Sequence, residues 1–194
     1  MILALTSKSS FVVGDSAFGP SPIKLDATLT DEVVNIIKEG IDLAIRGAPL
    51  PDSALQANKL ATLTTCLCGA LEYVLQYGRP TKPADVSDHE WVIYKLTSGL
   101  ITLKKGIRSF SIATRAGIST NNAAARTAFV EAGHGLARIP TYDAWPTIKA
   151  GTLEAVLDDY AFNDINVDGL FPPRTANSKK QRLLLNFLKE YFTS

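Results

Sequence analysis

The stretch IKLDATLTDEVVNIIKEGIDLAIRG, residues 23–47, decides the fold class. Apolar and polar residues alternate over 23–29, which predicts a β-strand. Residues 30–40 repeat apolar side chains at helical spacing and end in glycine, which predicts a helix. Residues 41–47 predict a second, buried strand. A strand, a helix and a strand in succession form a βαβ unit with parallel strands, so the sequence predicts an α/β protein.

The rest of the chain continues this alternation of strands and helices. Further strands are predicted at 58–69, 90–96, 100–106, 109–115, 136–140, 152–160 and 165–173. Further helices are predicted at 70–78, 119–135, 141–151 and 178–192. We expect mostly parallel strands, with ligands bound beyond their carboxyl ends and near helix N-termini.

Composition narrows the class of protein. The chain has 194 residues, of which 46% are hydrophobic and 20% are charged, which is typical of a globular protein with an ample core. A net charge of +1 gives no cationic excess for binding a phosphate backbone. The N-terminal stretch MILALTSKSS has no basic region before its apolar run, and no apolar run approaches membrane-spanning length. We therefore expect a cytoplasmic protein without a membrane partner.

Two cysteines, Cys66 and Cys68, are separated by one residue. We expect them to point to opposite faces of a strand and to form no mutual disulfide, which fits a reducing compartment. A redox-sensing role needs an accessible thiol of low pKa, so we expect buried, inert thiols instead.

Five motifs in fixed order carry a family resemblance. They are IKEGIDLAIRGAPLPDSALQANKLA, GRPTKPADVSDH, STNNAAARTAFVEAGHGLARIP, AGTLEAVLDDY and the C-terminal helix. Together they resemble the effector-binding, or substrate-binding, domain of LysR-type transcriptional regulators over residues 22–192. The family's N-terminal winged helix-turn-helix has no counterpart in this sequence. Its first helix is also shortened, because residues 11–22 carry two glycines and two prolines.

The resemblance implies a fold. It is α/β, with two Rossmann-like subdomains joined by two crossing strands, as in type 2 periplasmic-binding proteins. Subdomain I would be residues 1–65 and 141–194, and subdomain II would be residues 66–140. The crossing strands would be Leu63 to Leu67 and Leu136 to Pro140.

The resemblance also implies a function. The chain would be a non-enzymatic sensor, in which an effector in the cleft between the lobes biases lobe and dimer geometry to control transcription. The expected partners are a small polar or anionic metabolite, a second copy in a homodimer, and DNA only through a DNA-binding domain outside this chain. The alternative is a stand-alone solute-binding protein of the same fold, and an α/β enzyme ranks third because fold alone does not settle function.

Candidate effector-binding residues fall at strand ends, at helix starts and on the crossing strands. They are Thr6, Ser7 and Ser9 after the first strand; Arg46, Gly47 and Ala48 after the second buried strand; Thr64, Thr65 and Cys66 on the first crossing strand; Thr120 and Asn121 at a helix start; and Pro140 on the second crossing strand. Hydroxyls, backbone N–H groups at helix starts and an arginine suit a small anion. Each set also has a structural alternative, namely a serine-rich turn, a salt bridge, β-branched strand residues or a helix cap.

Catalytic and metal motifs are missing from the sequence. It contains no G-x-S-x-G and no H-E-x-x-H, and its two histidines, His89 and His134, stand far apart. His134 lies between Gly133 and Gly135, where a helix stop and close packing favour glycine. We expect a helix end there rather than a catalytic base, and we expect no cofactor and no metal.

Overall fold

A computed structural model describes residues 2–6, 26–30, 34–47, 54–95, 100–173 and 178–193. The chain divides into two compact units. Unit 1 comprises Met1–Thr62 and Ile165–Ser194, and unit 2 comprises Leu63–Asp164.

Unit 1 is built on a five-stranded sheet with the order β2-β1-β3-β12-β4. Its described elements are β1 (Ile2–Thr6), β2 (Asp26–Thr30), β3 (Leu43–Arg46), β4 (Gln56–Leu63), β12 (Ile165–Phe171) and α4 (Lys179–Thr193). Leu184, Leu185 and Leu188 of α4 are buried, so one stripe of this helix faces the core, as its periodicity predicts. A Cβ at Gly169 of β12 would lie 3.2 Å from Leu185 Cδ2, which shows how closely helix and sheet pack.

The predicted helix over residues 30–40 is wrong in its described part, where residues 36–40 form turns. The Asn35 side chain accepts the Lys38 N–H at 2.9 Å, so a side chain competes for a donor that an α-helix would use itself. The apolar pattern of this segment still reflects burial, because Ile36 lies in a buried cluster with Ile41 and Ala44. Gly40 has a φ of +69°, a conformation that glycine adopts without strain.

Unit 2 holds the remaining elements. They are β5 (Thr65–Ala70), α1 (Leu71–Tyr77), a 3-10 turn (Pro83–Asp88), β6 (Glu90–Tyr94), β7 (Leu100–Lys105), β8 (Arg108–Ala113), β9 (Arg115–Thr120), α2 (Ala123–Glu131), β10 (Ala137–Pro140), α3 (Thr141–Lys149) and β11 (Leu153–Val156). The strands form a β10-β5-β11 sheet, a β6-β9 pair and a β7-β8 hairpin. A parallel bridge from Trp91 to Leu136 joins β6 to the start of β10.

The second boundary between the units differs from the predicted one. Residues 141–164 lie in unit 2 rather than with the C-terminal segment. The reason is strand pairing, since β11 is hydrogen-bonded to β5 from Leu153↔Ala70 to Val156↔Leu67. The segment Leu136 to Pro140 therefore lies inside unit 2, and the chain returns to unit 1 at Ile165.

The expectation of mostly parallel strands is also wrong for the described pairs. Among the strand pairs whose register is described, β6–β9 is parallel, whereas β1–β2, β1–β3, β3–β12, β5–β10, β5–β11 and β7–β8 are antiparallel. β5, the strand on which the chain enters unit 2, runs against both of its neighbours. β12, the strand on which it returns to unit 1, runs against β3.

Candidate functional site

One edge of unit 2 collects the ends of several strands. β6 and β9 run parallel, with Tyr94 opposite Thr120 at their carboxyl ends. β10 runs in the same direction as β6 where Trp91 bridges Leu136. β5 is antiparallel to β10, so Thr65 at its start pairs with Pro140 at the end of β10. The carboxyl ends of three strands and the start of a fourth thus share one edge, the position where open α/β sheets bind ligands.

Thr64 and Thr65 use their hydroxyls differently at this edge. The Thr64 hydroxyl donates to Thr141 Oγ1 at 3.0 Å, and the Thr64 carbonyl accepts the Thr141 N–H, also at 3.0 Å. The Thr65 hydroxyl accepts from Arg138 Nε at 2.8 Å. Thr64 therefore ties the start of β5 to the start of α3, and it is the exposed member of this pair.

Arg138 holds together three parts of unit 2. Besides its bond to Thr65, its Nη2 donates to the Asn163 carbonyl at 2.6 Å, and its guanidinium lies 4.8 Å from the Phe162 ring centroid. Thr65 and Asn163 both lie within two residues of the points where the chain passes between the units. Arg138 therefore fixes the unit 2 ends of both connections.

Cys66 and Cys68 share one face of β5, so the expectation of opposite faces is wrong. Residues two apart in a strand point the same way, and both thiols point towards β10, Cys66 to the Ile139 carbonyl and Cys68 to that of Ala137. Both are nevertheless free thiols. Interaction with the Cys68 thiol lowers the pKa of Cys66, while interaction with Cys66 and burial raise the pKa of Cys68.

Because Cys68 is buried but Cys66 is not, the expectation of two buried thiols is wrong for Cys66, and we expect Cys66 to be reactive in the native protein. Cys66 is partly exposed and has the lowered pKa, so it should react with a disulfide reagent at pH 7.5, while the fully buried Cys68 should react only after unfolding in urea. Thiol titration before and after unfolding measures this. Cys66→Ser should abolish the native reaction and Cys68→Ser should preserve it. Equal reactivity of both thiols in the native state would contradict the assignment.

Thr120 and Asn121 lie where β9 meets α2. The Thr120 hydroxyl accepts the Asn122 N–H at 3.1 Å, and Asn122 Oδ1 accepts the Ala125 N–H at 2.8 Å. Asn122 is therefore the N-cap of α2. Asn121 is exposed beside the cap, so its amide can contact a ligand at the helix start.

A buried ion pair lies behind this helix start. The Arg126 side chain is 7% exposed, and its Nη2 lies 3.6 Å from Asp143 Oδ2. The same Asp143 oxygen accepts the Thr127 hydroxyl at 3.2 Å. Arg126 lies on α2 and Asp143 in the first turn of α3, so the pair links the two helices that begin at this edge.

The candidate residues of unit 1 that the structure describes do not all lie together. β1 is antiparallel to β3, with Leu5 opposite Leu43 and Ile2 opposite Arg46. Thr6 and Arg46 therefore lie at opposite ends of this strand pair. Gly47 is exposed, and a Cβ there would lie 3.4 Å from Ile165 Cγ2. Ser7, Ser9 and Ala48, like the shortened segment 11–22, fall outside the described residues.

Sequence reasoning missed Arg126 and Arg138. A signal for Arg126 is present, because it stands four residues before the buried Val130 in the otherwise alanine-rich start of α2. A charged residue on the buried stripe of a helix points to a specific partner. Arg138 gives no comparable signal, since LARIP alternates like any strand.

The described residues hold no metal cluster. No group of three or more His, Cys, Asp or Glu side chains in that part of the chain is placed to hold an ion. His89 is buried beside Tyr73, with Nδ1 3.3 Å from the phenol oxygen, and burial lowers its pKa. His134 is exposed and stacks edge-on against Phe129. Among the described residues, no helix is long and apolar enough to cross a membrane.

Comparison with known proteins gives a family match. The model of the LysR substrate binding domain matches residues 21–193. The HTH-type transcriptional activator AaeR of Escherichia coli strain K12 is 30% identical over 161 residues, which is 81% of this chain and 52% of that protein. The regulator DmlR of the same strain is 29% identical over 173 residues, 88% of this chain and 56% of that protein. The chain thus spans about half the length of these curated relatives.

Solved structures share the fold. CrgA, a LysR-type transcriptional regulator from Neisseria meningitidis, superposes with a TM-score of 0.72 at 18% identity, over 82% of this chain and 55% of that one. The Vibrio cholerae virulence activator AphB gives a TM-score of 0.71 at 18% identity, over 85% of this chain and 57% of that one. The predicted fold class, α/β with two subdomains of the type 2 periplasmic-binding-protein kind, is confirmed.

Proposed function

Because the chain belongs to the LysR family of transcriptional regulators, matching its substrate-binding domain over residues 21–193, we propose that it senses a small-molecule effector and performs no catalysis. The observation that supports this most directly is the shared edge of unit 2, where Thr65, Pro140 and Thr120 end or begin neighbouring strands. Hydroxyls and helix starts converge there without any catalytic motif, which suits binding rather than chemistry.

The proposed binding site consists of exposed or partly exposed polar groups at this edge. Thr64, Thr120 and Asn121 offer side-chain hydrogen bonds, and the starts of α2 and α3 offer backbone N–H groups. Such a site suits a small polar or anionic metabolite. The Thr65 hydroxyl accepts from Arg138, which fixes the unit 2 ends of both connections, and the Cys66 thiol points to the Ile139 carbonyl of the neighbouring strand, so we assign both to support of the site.

Membership of the family is the basis on which we also propose the remaining partners. We place the protein in the cytoplasm as a homodimer, with DNA bound through a DNA-binding domain outside this chain. Effector binding would bias the geometry of the dimer and thereby the DNA-binding domains. A stand-alone solute-binding protein of the same fold stays the second candidate, and a winged helix-turn-helix encoded in frame upstream would favour the regulator.

A thermal-shift screen tests the sensing function. The panel is small carboxylic acids, amino acids and aromatic acids. An effector at 100 times its Kd should stabilise the chain by about 2.7 kcal/mol, because it binds the folded state only. Thr120→Val should weaken the effect by removing a hydroxyl at the edge, whereas Thr102→Val on the β7-β8 hairpin should leave it unchanged. No shift with any compound would contradict the sensing function.

A further inference from the structure

A buried guanidinium in unit 2 keeps donors without acceptors. The Arg126 side chain is 7% exposed. Its Nε and Nη2 atoms have no hydrogen-bond partner among the described residues. Burial removes water from these N–H groups without replacing it, which is unfavourable for a charged group. The side chain therefore favours an acceptor from outside the chain.

The groups around Arg126 compensate its charge only in part. Asp143 Oδ2 lies 3.6 Å from Nη2, which is an ion-pair distance but longer than a hydrogen bond. That oxygen also accepts the Thr127 hydroxyl. The Tyr94 ring centroid lies 5.7 Å from the Arg126 Cζ, so one neighbour of the cation is an aromatic ring. Burial lowers the pKa of Arg126, yet a guanidinium stays protonated at neutral pH.

The position of Arg126 connects it to the shared edge. It is the fourth residue of α2, and long helical side chains point back towards the helix N-terminus. Tyr94 pairs with Thr120, two residues before the Asn122 cap. The guanidinium thus lies where β6 and β9 end and α2 begins, and both a cation and a helix N-terminus favour an anion.

We propose that Arg126 is the anion-recognition residue of the effector site and that the effector carries a carboxylate. The inference rests on the proposed sensing function and specifies its ligand. Nε and Nη2 donate from one edge of the guanidinium, and the two oxygens of a carboxylate match such a fork. Asp143 competes with the ligand for the same cation.

The first test compares acids with their amides on the wild-type chain. Acetate, succinate and benzoate are titrated by calorimetry beside acetamide, succinamide and benzamide. At least one acid should bind, and its amide should bind at least about 10-fold more weakly because it lacks the charge. Amides that bind as tightly as the acids would overturn the anion role, and so would failure of all three acids to bind.

The second test uses two variants that shift affinity in opposite directions. Arg126→Lys should weaken binding of the acid at least about 10-fold, because a lysine has no planar fork. Asp143→Asn should tighten it several-fold, because it removes the competing carboxylate. A purely structural ion pair would instead lower affinity, or leave it unchanged, in both variants. Arg115→Lys is the matched control, since Arg115 is 80% exposed at the opposite end of β9.

Failure of this inference and failure of the sensing function give different results. If acetamide, succinamide or benzamide binds the wild-type chain while none of the acids does, the anion role is overturned and sensing stands. If Arg126→Lys binds the acid as tightly as the wild type does, the anion role is likewise overturned and sensing stands. If Arg126→Lys does not fold, as judged by circular dichroism, Asp143→Asn and the acid-amide comparison decide.

Discussion

Trp91→Ala should lower the free energy of unfolding by about 4 kcal/mol, the loss typical of a large aromatic side chain deleted from a core. Trp91 is 2% exposed at the centre of unit 2. Its Nε1 donates to the Val86 carbonyl at 3.0 Å, so the substitution leaves both a cavity and an unpaired acceptor. Urea unfolding followed by circular dichroism at 222 nm measures the loss.

The second tryptophan provides the matched control. Trp145 on α3 is 60% exposed. Trp145→Ala should change the free energy of unfolding by about 0.5 kcal/mol or less, as surface substitutions usually do. A loss below about 1 kcal/mol for Trp91→Ala, or equal losses for the two variants, would contradict the placement of Trp91 in the core.

Gly135→Ala should lower the free energy of unfolding by about 3 kcal/mol, because backbone strain and a steric clash add at one position. Gly135 has a φ of +133°, which residues with a Cβ rarely adopt. A Cβ there would lie 2.4 Å from the Glu90 carbonyl oxygen. Relieving this clash would require β6 to move away from residue 135. The Leu136 N–H opposes that movement, because it donates to the same Glu90 carbonyl at 2.9 Å. Chemical denaturation gives the loss.

A substitution at Gly133 separates the contribution of backbone strain from that of the steric clash. It has a φ of +80°, and an added Cβ would meet nothing within 4 Å. Gly133→Ala should therefore lower the free energy of unfolding by only about 1 kcal/mol, from backbone strain alone. If Gly133→Ala is as destabilising as Gly135→Ala, the close contact with β6 is not the cause.

Local pattern predicted much of unit 2 and the C-terminal helix. The LARIP strand, the α1 and α3 helices and the stripe of α4 each depend on neighbours in sequence, so periodicity and glycine stops reveal them. Strand β9 (Arg115–Thr120) was largely missed, because RAGIST lacks a run of large apolar side chains and its pairing with β6 is non-local.

Long-range pairing accounts for the other differences. The unit boundary depends on which strand β11 pairs with, and no residue in 141–164 encodes that choice locally. The turn at 36–40 includes a hydrogen bond in which the Asn35 side chain accepts the Lys38 N–H, and helical periodicity does not reveal this bond. Strand direction follows from where the chain enters and leaves each unit, which is a property of the whole fold.

The sequence predicted which residues could form the candidate site, but not the contacts that those residues make. Family motifs located Thr64, Thr65, Thr120, Asn121 and Pro140, and all five lie at the shared edge of unit 2. The sequence could not reveal that Thr65 is paired with Arg138, or that two donor atoms of Arg126 have no acceptor among the described residues. Those facts depend on contacts between residues far apart in the chain.

An NMR titration of the ¹⁵N-labelled chain tests effector binding at the shared edge most directly. The titrant is the acid that gives the largest thermal shift. The amide signals of Thr64, Thr120, Asn121 and Arg126 should move together with one Kd, while those of Gly106 and Ile107 in the β7-β8 turn should stay fixed. Movement confined to residues away from this edge, or no movement at saturating acid, would contradict the account.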